Sequence, residues 1–123
     1  MTRPVMIVDG ANVVGSTPDG WWRDRKGAAE RLRDRLAARA AEAEAEAEEI
    51  VLVVEGAARD VTPVPGVRVE SAPGSGDDAI VALVAALAPR PCRVVTADRE
   101  LRARVTALGA STVGPGLLRP PAH

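Results

Sequence analysis

The chain has one cysteine, one lysine, a single histidine at its final position, and neither phenylalanine nor tyrosine. One cysteine excludes an intramolecular disulfide and a cysteine-built zinc site. With His123 alone, Ser-His-Asp and Cys-His catalysis and the HExxH zinc proteases are excluded unless the last residue takes part. The longest apolar run covers residues 79–88, about half of what a membrane-spanning helix needs. The first apolar stretch is broken by Asp9 and lacks the plan of a signal peptide. The expectation is a cytoplasmic protein with no membrane partner. Sixteen basic residues against seventeen acidic ones leave a net charge of −1. That argues against a polycationic coat for nucleic acid, though not against a local basic patch. Chemistry is left to carboxylates, arginines, hydroxyls, amides or a bound metal.

What is present reads as one globular domain: 123 residues, 46% apolar and 27% charged, too rich in apolar side chains for disorder. Val5-Met6-Ile7-Val8 and Ile50-Val51-Leu52-Val53-Val54 are unbroken apolar runs suited to strands buried on both faces. Val67-Arg68-Val69-Glu70 alternates and belongs nearer an edge, Val94-Val95-Thr96-Ala97 is a further strand, and Ser111-Thr112-Val113 is a short last one. Helical spacing joins Ala29, Leu32, Leu36, Ala40, Ala43 and Ala47, then Ile80, Leu83, Val84 and Leu87, then Leu101, Val105 and Leu108. Residues 41–49 alternate alanine and glutamate, both strong helix formers, and are expected to be the solvated end of the long helix. The order predicts a three-layer α/β/α fold with a mostly parallel central sheet of four to five strands.

In such sheets ligands bind beyond the carboxyl ends of the strands. Asp9 ends the first strand, Glu55 the second and Asp98 the fourth, while Asp77 and Asp78 open the helix after the third. Each has a local explanation. Asp98 is a good helix N-cap, Ser75-Gly76-Asp77-Asp78 fits a capping box with Asp78 reaching back, and Asp9-Gly10 and Glu55-Gly56 each suit a turn. Asp77 fits its local explanation least, because its spacing to Ile80 and Val84 turns it toward the sheet rim. Taken together the five are costly: two like charges ~4 Å apart repel by about 4 kcal/mol at an effective dielectric near 20. A divalent cation removes that cost, and an oxygen-only donor set suits Mg²⁺ or Mn²⁺ rather than zinc.

Three segments, Met6-Ile7-Val8-Asp9-Gly10-Ala11-Asn12, Gly76-Asp77-Asp78-Ala79-Ile80-Val81 and Val94-Val95-Thr96-Ala97-Asp98, resemble in order the acidic motifs of NYN-domain ribonucleases of the PIN-like superfamily. The resemblance covers roughly residues 5–118. It implies a PIN-like domain over 1–118 with 119–123 as a tail, and an enzyme that hydrolyses RNA to 5′-phosphate ends. It further implies that Asp9, Asp77, Asp78 and Asp98 hold Mg²⁺ or Mn²⁺, and that Asn12 orients Asp9 or the substrate phosphate. The chain departs from the family in its short length and in a second-to-third strand connection reduced to a loop.

Trp21 and Trp22, the only aromatics, follow the Asp9 rim. Either they stack on unpaired bases of single-stranded or structured RNA, or one of them packs as a lid on the first helix. Arg23, Arg25, Arg99 and Arg102 flank the rim and are the candidate phosphate contacts, with solvated helix faces as the ordinary alternative. Cys92 reads as a small core residue. Two rival functions remain: a catalytically weak RNA-binding or scaffold module of the same fold, and a phosphoacceptor receiver domain. The second is disfavoured, since receivers place an acidic pair after the first strand and a lysine after the last, and the only lysine here is Lys26.

Overall fold

The computed structural model describes residues 3–18, 20–42 and 48–118. Five strands, β1 (Val5–Asp9), β2 (Glu49–Val54), β3 (Val67–Ser71), β4 (Cys92–Val95) and β5 (Ser111–Val113), are interspersed with four helices, two between β1 and β2 and none between β2 and β3. These are α1 (Gly10–Gly15), α2 (Arg25–Glu42), α3 (Gly76–Leu87) and α4 (Arg99–Thr106), with short 3-10 turns at Trp21–Arg23, Gly56–Ala58 and Pro115–Leu118. The sheet runs β3-β2-β1-β4-β5, and every pairing is parallel.

The unbroken apolar strands are explained by two cores. Along β1, Met6 and Val8 face a cluster with Val13 and Val14 of α1 and Leu32 and Leu36 of α2. Val5 and Ile7 face the opposite cluster, with Ile80 and Val84 of α3 and Leu101 and Val105 of α4. β2 repeats the division, Leu52 and Val54 toward α2 and Val51 and Val53 toward α3. The two-residue period thus serves both helical layers, as a sheet covered on both faces requires.

Local chemistry sets the boundaries, and several differ from the sequence expectation. α2 starts before Ala29 because the Asp24 carboxylate accepts from Gly27 N at 2.9 Å, a side-chain cap on the free first turn. Its described part ends at Glu42, and residues 43–47 of the alanine–glutamate run lie outside the described residues. Glu48 and Glu49 do not continue the helix. Glu49 opens β2 and pairs with Arg90 at 3.0 Å, and Glu48 pairs with Arg93. β4 begins two residues earlier than expected, since Val5 N bonds Pro91 O at 2.8 Å and aligns Cys92 against Val5. Its last ladder bond is from Thr96 N to Val113 O of β5 at 3.0 Å, and the strand is left at Ala97, whose N donates to the Asn12 side chain. Cys92 is buried as expected.

The segment after β1 is a helix rather than a bare turn. Asp9 caps it, accepting from Asn12 N at 3.4 Å, and Val13 and Val14 bury its inner face. Its entry is tight: a Cβ on Gly10 would lie 2.6 Å from the Val53 carbonyl oxygen. Backbone cannot yield as a side-chain tip does, so Gly10→Ala should cost roughly 1–3 kcal/mol, read as a lower urea midpoint. An unchanged midpoint would show that α1 shifts freely on the sheet.

Candidate active site

Successive strands run outward from β1 to β2 and β3, and the chain then returns to place β4 on the other side of β1. The loops after β1 and β4 therefore diverge, opening a crevice at the carboxyl edge where such folds bind ligands. Asp9 and Thr96 meet there. The Thr96 hydroxyl donates to Asp9 Oδ2 at 2.9 Å and accepts from Asp98 N at 3.1 Å. Both side chains are out of water, Asp9 at 4% and Thr96 at 0% exposure. Asn12 closes the arrangement from α1, its side-chain oxygen accepting from Ala97 N at 2.9 Å. Asn12 thus ties the β4–α4 loop to α1, while its backbone amide faces Asp9.

Asp98 caps α4, one oxygen accepting from Leu101 N at 2.9 Å, as its local reading expected. Ser75 caps α3 through Asp78 N at 3.1 Å, but the Asp78 carboxylate does not reach back. It is exposed and pairs with Arg104 of α4 at 3.0 Å. One residue earlier, Asp77 is half-buried and faces the rim. Burial above all, then the charges of Asp98 and Glu55, raise its pKa, with Arg104 opposing and Glu100 adding to the rise. Asp9 is pushed from 3.8 up to about 6, chiefly by burial. The hydrogen bonds from Thr96 and Asn12 lower it, and the charges of Asp77 and Glu55 raise it.

Asp9, Asp77, Asp98 and Glu55 therefore share one electrostatic neighbourhood, and Asp78 stands apart from it. Glu55 has a structural task as well, its Oε2 accepting from Gly76 N at 2.7 Å and so holding the start of α3. The donors in this neighbourhood are all oxygen. Among the described residues, no group of three or more acidic, histidine or cysteine side chains is gathered closely enough to hold a metal ion.

The aromatic pair divides its work. Trp21 is half-buried against the α2-side core, whereas Trp22 is 56% exposed. Their rings meet edge to face at 6.1 Å, with Arg25 over Trp21 at 5.5 Å and Arg23 over Trp22 at 5.8 Å. Arg99 is exposed beside Asp98. Arg102 is pinned, its Nε donating to the Thr96 carbonyl at 2.8 Å, which braces the turn that presents Asp98.

Sequence reasoning did not single out Thr96 or Arg104 as site residues. A hydroxyl inside an otherwise apolar strand end was the available signal for Thr96. For Arg104 there was none, since its partner lies on another helix. Among the described residues no helix is long and apolar enough to cross a membrane.

No protein-family model matches the chain, and no curated protein is significantly similar to it. Two similar solved structures are both of Rae1 (YacP) from Bacillus subtilis. A single-site mutant aligns at a TM-score of 0.71 and 19% identity, over 94% of this chain and 72% of that one. The second gives 0.72 and 19%, over 91% and 69%. At that identity the likeness bears on architecture, and it agrees with what the strands and helices show: the chain is a three-layer α/β/α domain built on a parallel five-stranded sheet.

Proposed function

We propose that the chain is a PIN-like, NYN-type ribonuclease that hydrolyses RNA phosphodiester bonds in the cytoplasm with Mg²⁺ or Mn²⁺. The observation that carries the reading is the juxtaposition of buried Asp9 with Asp77 and Asp98 at the strand-order reversal, where the charge of Asp77 helps raise the Asp9 pKa and the charge of Asp98 helps raise that of Asp77. Mutually repelling oxygen donors fit a hard cation. Their open spacing fits an ion that keeps part of its water and completes its shell with phosphate oxygens. When bound, such an ion activates water for attack and neutralises charge on the phosphate and the leaving oxygen.

Asp9, Asp77 and Asp98 are the residues that would hold it. Thr96 fixes the Asp9 carboxylate, and Asn12 fixes the loop that carries Asp98. Asp78, paired with Arg104, serves in this reading to orient the start of α3. In this reading Arg23, Arg25 and Arg99 would meet RNA phosphates, and the exposed Trp22 would stack on an unpaired base.

Purified protein should cleave single-stranded RNA with Mn²⁺ or Mg²⁺ and stop on addition of EDTA. Cleavage indifferent to EDTA would end the metal mechanism. Asp77→Asn removes a repelling charge while keeping shape. In EDTA it should melt higher, by a few tenths to about 1 kcal/mol after solvent screening. It should gain less than the parent from Mn²⁺ and lose cleavage. A variant that melts lower in EDTA and gains as much from Mn²⁺ identifies Asp77 as a helix-terminal charge favoured by the dipole.

The absence of a ready group of three metal-holding side chains among the described residues favours a second reading, an RNA-binding or scaffold module with little turnover. Binding of RNA and Mn²⁺ without cleavage under any divalent ion would select it.

A further inference from the structure

Beside the acidic rim, a cleft of about 340 Å³ opens between the segment after α1 and the loops after β2 and before α3. Trp21 and Arg25 line it from the first, Glu55, Gly56 and Gly74 from the others, and Val54 is apolar surface within it. Its volume is at the low end of small-molecule sites, roughly 300–1,000 Å³, enough for one flat group and too small for a folded ligand.

The charges select the kind of group. The Arg25 guanidinium lies over the Trp21 ring and Glu55 adds a carboxylate, so the lining carries no cation surplus for a phosphate. The stacked Trp21–Arg25 pair, apolar surface and one carboxylate suit a neutral planar group with N–H donors on its edge. Unpaired RNA bases are bound in this manner, stacked on aromatic side chains or arginine planes and hydrogen-bonded along their edges. The cleft is also continuous with the rim. Gly10, which lines it, directly follows Asp9, and the charge of Glu55 reaches both Asp9 and Asp77. A base seated there places its own phosphate toward the carboxylates.

We infer that the Trp21–Glu55 cleft is a nucleobase subsite that holds one unpaired base of the RNA and prefers a base with an exocyclic amino group over uracil. The inference rests on the ribonuclease reading and names the substrate feature that the site selects. Glu55 only accepts hydrogen bonds. Cytosine, adenine and guanine each offer it an amino group, whereas the single N–H of uracil is flanked by two carbonyl oxygens that repel a carboxylate.

Trp21 and Trp22 are the only aromatic residues, so a Trp22→Leu protein reports through Trp21 alone. Its fluorescence would be titrated, in EDTA, with the RNA pentamers rC5 and rU5, both single-ring pyrimidine strands that differ at the amino edge. Expected is saturable quenching, with rC5 about 3- to 10-fold tighter than rU5, the worth of one net hydrogen bond. Glu55→Gln should erase that difference, and Ala11→Leu, which narrows the cleft from α1, should weaken both. If Ala11→Leu fails to fold, Gly74→Leu replaces it, since a Cβ at Gly74 meets nothing within 4 Å. Equal affinity for the two pentamers, quenching indifferent to the narrowing variant, or quenching by trileucine with none by RNA overturns the assignment. Cleavage of both pentamers in Mn²⁺ separates the two readings. Base binding without cleavage keeps the subsite and removes the nuclease, whereas cleavage at equal rates without Trp21 quenching does the reverse.

Discussion

Asp9→Asn should abolish RNA hydrolysis and at the same time stabilise the metal-free protein at neutral pH by about 2–3 kcal/mol. The gap between 3.8 and about 6 for Asp9 corresponds to about 3 kcal/mol at roughly 1.4 kcal/mol per tenfold. Its sign is set by proton linkage. Because the folded protein holds the Asp9 proton more tightly than the unfolded chain, ionisation penalises folding. The penalty is absent below about pH 3.8, grows between there and about 6, and is complete above. Asparagine escapes it. It still accepts one hydrogen bond and is as good an N-cap as aspartate, so little is lost at the start of α1. Urea unfolding in EDTA should show the variant ahead at pH 8, with its lead cut to roughly half at pH 5. A variant less stable at both pH values would mean that the Asp9 charge is needed to hold α1 and β4 together.

Thr96→Val should cost about 2–4 kcal/mol at neutral pH and reduce cleavage sharply, although valine has nearly the same shape. Its hydroxyl makes two hydrogen bonds at 0% exposure, one to Asp9 and one from Asp98 N. Valine leaves a buried carboxylate without its donor and a part-buried amide without its acceptor, and the first loss is a desolvation cost that water cannot repair. The Thr96 bond also holds the Asp9 pKa down against burial. Without it that pKa rises further, so the destabilisation should be larger at pH 8 than at pH 5. Thr96→Ser keeps the hydroxyl and should retain most stability and activity. In an Asp9→Asn background the cost of Thr96→Val should shrink, since the pair is coupled. Equal losses at the two pH values, and no coupling to Asp9, would reduce Thr96 to a packing residue.

The two core faces were legible because β1 and β2 are short unbroken apolar runs, a pattern that serves only a strand covered on both sides. Asp98 as a cap and Asp77 as rim-facing were legible for similar reasons, the first from turn chemistry and the second from helical spacing. The helix α1 was not, because six residues give too little periodicity to distinguish a capped turn of helix from a loop. The start of β4 was missed because Cys92 and Arg93 do not extend an apolar run, and the strand begins there through its register with Val5. The direction of Asp78 was also hidden. A capping box and an ion pair to the next helix leave the same trace in sequence, and only the packing of α3 beside α4 brought Arg104 within 3.0 Å.

By itself the sequence determined that this is a parallel α/β domain and that carboxylates stand at or just beyond the carboxyl ends of its strands. These are properties of composition and of residues a few positions apart, where side-chain period and backbone preference act directly. Tertiary structure decided which carboxylates meet. Asp9 and Thr96 are 87 positions apart, and they touch because β4 returns to the far side of β1 rather than adding beyond β3. It also set Trp21 against the core beside the cleft and left Trp22 outside. Strand order and helix rotation are fixed by close packing of the whole interior at once, so no local stretch of the chain carries them.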